Sequence, residues 1–330
     1  MIARNPDGGN VFQGRDFVEH KTLTGWRAKY ANVDDVAVSI LEKPVPGLGK
    51  LWYIPKGPGV ARTEQLARIV PSLNSLAQAS GAFAVKVEPE IQAGSATRGR
   101  FTGMGLVKVP DVQPNSSTVV VDIDRPVDEV VAGFKGKTRS HIRAAERAGV
   151  TTTVVPATDA NCAHFYRLLA ETAEGNFRIR SERYYRLYWQ RHVRSGTGMM
   201  LFATVDGRIV AADFLMLVGN KAARKDAASS RNDKIRGAAA LLEVEAVNSL
   251  REAGIAEYDL CGAPPSAEAR NRDHPLHGVG AFKTGFNNDI TDYVGTWEQP
   301  IATLSHALWR KAGERAALSI HNRLHGENYY

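Results

Sequence analysis

Cysteine is scarce in this 330-residue chain: Cys162 and Cys261 stand alone, without C-x-x-C spacing. That excludes a disulfide framework and a paired-thiolate zinc or redox site, and it suits a reducing compartment with both thiols as buried small hydrophobes. Long apolar runs are missing too. "IVAADFLMLV" (Ile209 to Val218) is about half the ~20 residues that a membrane-spanning helix needs, and Asp213 interrupts it. The opening "MIARNPDGGN" lacks an apolar h-region, so no secretory signal is expected, and the expected location is cytoplasmic with at most peripheral membrane contact. Neither a G-x-S-x-G elbow nor a G-x-x-x-x-G-K-[ST] loop occurs, which removes support from hydrolase and P-loop classes. "HPLH" (His274 to His277) holds a proline and has no carboxylate pair nearby, so no metal is expected.

What is present describes a packed protein. Apolar residues make up 43% and charged residues 23%, ordinary values for a soluble chain, and the length suits two domains. The net charge of +7 suits an anionic partner. Its excess is dense in "KGKTRSHIRAAER" (Lys135 to Arg147) and in "RIRSERYYRLYWQRHVR" (Arg178 to Arg194), where interleaved aromatics offer stacking surfaces for RNA. Arg139, Arg143 and Arg147 recur at i, i+4 and i+8 and form one helical stripe, led in by Lys135 and Lys137.

The periodicity predicts α/β structure throughout. "VAVSILEK" and "LWYIP" read as strands. A helix from Thr63 to Ser80 follows, capped by Thr63 and kinked at Pro71, and then the strand "AFAVKVEPE". The second half repeats that rhythm. "SSTVVVDID" is a strand, a helical stretch runs to a stop at Gly149, and "MMLFATVDGRIVAADFLMLV" is a hairpin turning at Asp206-Gly207. A helix from Gly237 to Ala253 leads to the short strand "EYDLCG". Strand pair, turn, helix and strand is the core order of N-acyltransferase domains, here met twice with a cleft expected between the copies.

Two further stretches bear on chemistry. "KIRGAA" (Lys234 to Ala239) approximates the R/Q-x-x-G-x-G/A turn that holds coenzyme A pyrophosphate on helix amides, with Lys at its first position. Glu88, Glu90 and Asp259 lie at strand ends, where they either close turns or bind an ammonium group. "AFKTGF" (Ala281 to Phe286) reads by itself as a surface turn or as a cation aimed at a reacting group.

Together, "VFQGRDFVEHKTLTGW", "WYIPKGP", "VKVEPE", "VVVDIDRPVDEVVAGFKGKTRSHIRAAERAGV", "AEYDLCGA" and "HPLHGVGAFKTGF" occur in an order that resembles the Fem family of aminoacyl-tRNA-dependent peptidyltransferases. The resemblance runs from about residue 11 to about 297, in the short form without a coiled-coil arm. It implies two tandem GNAT-like domains, residues 1–124 with 296–330 and residues 125–295. It also implies transfer of an amino acid from aminoacyl-tRNA, as co-substrate and without further cofactor, to an amine of a peptidoglycan precursor such as UDP-MurNAc-pentapeptide or lipid II. Carried over by position, Lys283 and Phe282 face the reaction centre. Lys21, Lys56, Phe83, Glu88, Arg178 and Arg180 serve the acceptor, and Lys137, Arg139, Arg143 and Arg147 serve the tRNA phosphates. A monomer is expected. An amine attacking an aminoacyl ester forms a tetrahedral oxyanion, so a fixed cation suffices and no enzyme nucleophile is needed. Departures occur at "ETAEGNFRIR" (Glu171 to Arg180) and "RKDAASS" (Arg224 to Ser230). They leave open a peptide antibiotic or other secondary metabolite as acceptor, while "KIRGAA" leaves open an acyl-CoA N-acyltransferase and the Arg178 to Arg194 run a non-catalytic RNA-binding protein.

Overall fold

The computed structural model describes residues 1–113, 115–174, 177–231, 235–325 and 329–330. Two compact units result, Met1–Ser116 with Asp292–Tyr330, and Ser117–Thr291. The first boundary lies upstream of the expected residues 124/125 because Val120–Asp122 pairs antiparallel with Glu257–Asp259 in the second sheet. The second lies upstream of 295/296 because Val294 N–H donates to Ile91 and Ala93 N–H to Asp292, both within unit 1.

Unit 1 starts with α1 (Arg15–Lys21), β1 (Arg27–Val33), β2 (Val36–Val45) and β3 (Gly49–Ile54). The chain continues through α2 (Thr63–Ala79), β4 (Ala82–Val87), α3 (Thr97–Gly103) and β5 (Val107–Lys108). Asp34 and Asp35, both at positive φ, make the two-residue turn between β1 and β2. α2 carries the chain over to place β4 parallel to β3. Thr63 is its first helical residue and not its cap; the Gln65 side chain instead accepts the N–H groups of Ala61 and Arg62. The helix also runs through Pro71. Burial of Leu66, Ile69, Val70, Leu73 and Ala77 on the opposite side outweighs the one missing hydrogen bond.

Unit 2 comprises β6 (Ser117–Thr118), β7 (Val120–Asp122), α4 (Val127–Ala132), α5 (Gly136–Arg147), β8 (Thr151–Val155), α6 (Asp159–Ala173) and α7 (Glu182–Arg194). After these come β9 (Gly198–Val205), β10 (Arg208–Val218), β11 (Lys221–Ser229), α8 (Ala238–Glu252), β12 (Glu257–Asp259) and α9 (His277–Lys283), and β13 (Thr291–Asp292) spans the return. Six strands order as β7-β12-β11-β10-β9-β8. The expected hairpin at Asp206-Gly207 joins β9 and β10, with both residues at positive φ. β11 and β12 are parallel and pair only through Lys221–Ala223. From Arg224 onward, therefore, β12 leaves that edge of β11 open.

Back in unit 1, β14 (Trp297–Pro300) lies between β4 and β5. α10 (Thr303–Leu308), a π-type turn over Trp309–Gly313 and α11 (Glu314–His325) close the unit. No helix among the described residues is long and apolar enough to cross a membrane.

Candidate active site

Lys283 ends α9 and is buried, at 6% exposure. Its ammonium donates to the carbonyls of Cys261 and Gly262, the latter at 2.8 Å, at the end of the "YDLCG" strand. Two of its three N–H bonds are thus held by backbone, which fixes the nitrogen and, among the described residues, leaves one donor for an incoming group. Burial, aided by the nearby charge of Arg224, lowers its pKa to about 8. The lysine remains a cation at neutral pH but is easily discharged above it.

Arg224 is the residue that sequence reasoning missed. Its guanidinium lies 2.7 Å from Asp213 Oδ1 and 2.7 Å from Glu243 Oε1, and its carbon stands 5.5 Å from the centre of the Phe282 ring. Tyr258 donates to the other Glu243 oxygen at 2.8 Å. A β-bulge makes this possible. Phe214 pairs with Asp226 but Leu215 pairs with Arg224, so Lys225 is the extra residue. Because alternate residues of a strand share a face, the bulge turns Arg224, instead of Lys225, to the face of Asp213 and α8. Burial raises the pKa of Asp213, and it raises that of Glu243 to about 7 against the opposing pull of Arg224. Only two signals pointed this way: an acid inside the apolar run of β10, and another inside the apolar helix α8.

Phe282 also lines a cavity of about 230 Å³, together with His141, Ser229, Ser230 and the first turn of α8 at Ala238–Ala240. Gly237 caps that helix at φ +90°, and a Cβ there would lie 1.9 Å from the His141 carbonyl oxygen, so only glycine fits. The N-terminus of α8 faces this cavity, with the Ala238 N–H given to the Ile235 carbonyl, and the amide end of a helix is an arrangement that receives anions. Of "KIRGAA", Lys234 lies outside the described residues.

α5 provides the cavity's His141, whose pKa burial and the charges of Arg236 and Lys137 hold below its ordinary value. On the same helix Lys137, Arg143 and Arg147 are exposed. Arg139 is half-buried and donates to the carbonyls of Ala132 and Phe134, closing the end of α4. The second basic run differs from expectation. Tyr188 and Trp189 of α7 are buried, with Trp189 stacked on Phe165 at 4.5 Å and donating to Asp226, so these aromatics are core and not a platform for bases. Arg178 is exposed, and half-buried Arg180 stands over the Tyr184 ring.

In unit 1 the residues assigned to the acceptor are largely interior. Glu88 accepts from Tyr53 Oη (2.5 Å), Thr296 Oγ1 (2.6 Å) and the amides of Val112 and Gln113. Lys56 donates to the Asn115 carbonyl and lies 3.5 Å from Glu90. Phe83 packs inside against Trp309, and buried Lys21 lies over the Phe17 ring. Of the two thiols only Cys162 is fully buried; Cys261 is half-buried and has positive φ.

Comparison with known proteins bears on this arrangement. A family model for an acetyltransferase (GNAT) domain matches residues 132–269. The lipid II:glycine glycyltransferase of Staphylococcus aureus strain MRSA252 is 30% identical over 171 residues, covering 46% of this chain and 40% of that protein. The same-named protein of strain USA300 is 29% identical over 170 residues, again covering 46% of this chain and 40% of its own length. The chain thus matches two fifths of the length of these curated relatives. The crystal structure of FemX superposes with a TM-score of 0.80 at 19% identity, covering 94% of this chain and 96% of that one. L-PGS from Bacillus licheniformis superposes at 0.53 with 15% identity, over 91% and 98% of the two chains. The chain therefore has the tandem GNAT-like fold of FemX and, over 171 residues, is homologous to the lipid II:glycine glycyltransferases.

Proposed function

We propose that the chain is an aminoacyltransferase that moves an amino acid from aminoacyl-tRNA to an amine of a peptidoglycan precursor. One observation carries the reading: Lys283 is a buried ammonium with two N–H bonds tied to carbonyls, and its neighbour Phe282 lines a cavity closed by a helix N-terminus. The attacking amine adds to the ester carbonyl, the oxygen gains charge, and the third N–H of Lys283 stabilises it. Collapse then breaks the ester C–O bond and expels the tRNA ribose oxygen, which takes up the proton that the attacking nitrogen sheds as the new amide forms. Because the ester is already activated, the step draws on positioning and electrostatics alone. Homology to glycyltransferases supports this reaction class. The exposed cations of α5, the helix that also lines the cavity, suit the phosphates of the tRNA acceptor end.

The α8 turn also suits the pyrophosphate of an acyl-CoA, and one experiment separates the two donors. The protein is incubated with UDP-linked or lipid-linked muropeptide and either a pool of charged tRNAs or acetyl-CoA, and product masses are read. An acceptor heavier by one aminoacyl residue, formed only with charged tRNA, is expected. Acetylated product with none from charged tRNA overturns the proposal.

A further inference from the structure

The last two helices of unit 1 show opposite characters on their two sides. Inward, Trp309 packs on Phe83 with ring centres 5.6 Å apart, His306 Nε2 is paired with Glu298 at 3.0 Å, and Glu314 meets Lys86 at 3.0 Å and Arg310 at 2.5 Å. Those contacts fix the helices. Outward, Leu304, Leu308, Ala312, Ala316, Ile320 and Leu324 recur at four-residue intervals and all six are exposed, the leucines and isoleucine by between 58% and 82%. Four residues overshoot an α-helical turn by about 40°, so such a series winds slowly around a helix as one ridge. The wider π-type turn at Trp309–Gly313 reduces the winding and keeps the ridge on one side.

A second ridge runs beside the first. Lys311, Arg315 and Arg323, each one residue before a member of the apolar series, are all exposed. Glu314 is the only acid between Thr303 and His325, and it is engaged inward by Lys86, Arg310 and Tyr330. The outer side therefore offers large aliphatic groups and cations with no exposed acid among them. Soluble proteins rarely expose such a contiguous apolar strip without a partner.

We propose that the outer face of α10 and α11 docks on an anionic phospholipid surface. The aliphatic ridge enters the boundary between headgroups and acyl chains, and Lys311, Arg315 and Arg323 meet lipid phosphates. Both ridges find their complement there, as in interfacial amphipathic helices. RNA answers the cations but leaves the leucines unmatched, and a second copy of this face sets like charges against each other. Docking of this kind stands independently of the transfer reaction proposed above.

Vesicle flotation with the full chain tests it, using phosphatidylglycerol mixed with phosphatidylcholine against phosphatidylcholine alone. The protein is expected to float with the anionic vesicles only, and less so as salt rises. Leu308→Asp with Ile320→Asp reduces binding about tenfold or more, and Lys311→Gln or Arg323→Gln about fivefold each, with the melting temperature unchanged. Leu304→Ser, at the most exposed position, replaces the double variant if that one loses its melting transition. Three results overturn the proposal: no flotation with anionic vesicles, equal flotation of wild type and ridge variants, or a dimer or RNA complex that the ridge variants abolish while vesicles are ignored.

Discussion

Each unit buries a cluster of opposite charges, and the two clusters differ in how well they are satisfied. In unit 1, Glu298 is fully buried, yet Lys86 at 2.7 Å, His306 at 3.0 Å and Arg310 at 3.8 Å surround it. Burial pushes its pKa up, but the His306 hydrogen bond and the charge of Lys86 outweigh this and hold it at about 2. In unit 2 a single Arg224 serves both Asp213 and Glu243, and both carboxyls remain raised while Lys283 is lowered. One cluster settles its charges and stabilises a fold; the other keeps them under tension beside a cavity. Groups driven away from their ordinary protonation in a cleft mark sites of chemistry more often than sites of stability.

Removing a cation from each cluster is the strongest way to break that contrast. Lys86→Met takes from fully buried Glu298 its nearest cation, leaving it only His306 and Arg310, and is expected to destabilise the chain by about 3 kcal/mol, read by chemical denaturation. Lys283→Met should do the reverse. It removes an ammonium that burial disfavours, so stability stays level or rises, while aminoacyl transfer falls by about 3–4 kcal/mol of barrier with tRNA affinity nearly unchanged. If Lys283→Met destabilises as much as Lys86→Met, the lysine is structural and the contrast collapses.

The pH dependence sharpens the distinction. As pH rises through about 8, Lys283 loses the proton that stabilises the oxyanion, so single-turnover transfer should decline there. Stability moves oppositely: this lysine's folded pKa lies below its unfolded one, so its penalty is present at neutral pH and is relieved between about 8 and 10.5. Glu243 gives the smallest effect. With its folded pKa raised, its contribution is full below the unfolded value and is lost as pH rises through about 7. Glu243→Gln keeps a neutral partner for Tyr258 and should flatten the stability profile between those limits. An unchanged slope in denaturation curves across that range counts against a titrating Glu243.

Most strands and helices were legible because their signals are local. Alternation in "VAVSILEK" needs only a buried face, and Asp206-Gly207 needs only a backbone tolerant of positive φ. Lys283 was legible through the order of motifs around it. The span of α2 was legible too, Pro71 included, because the apolar face repeats on both sides of the proline. The aromatics of α7 misled, since their spacing among arginines does not say which of them turn inward.

By itself, then, the sequence determined the strands and helices read above and the hairpin turn at Asp206-Gly207, each from neighbours a few residues apart, and it singled out Lys283 through the order of motifs along the chain. Only the tertiary structure decided what surrounds that lysine. Arg224 meets Asp213 across one strand pair and Glu243 across the sheet-to-helix layer, and it does so because one extra residue at Lys225 shifts the register. A bulge leaves almost no trace in a string of residue types, yet it selects which of two adjacent basic side chains reaches the buried acids beside Lys283.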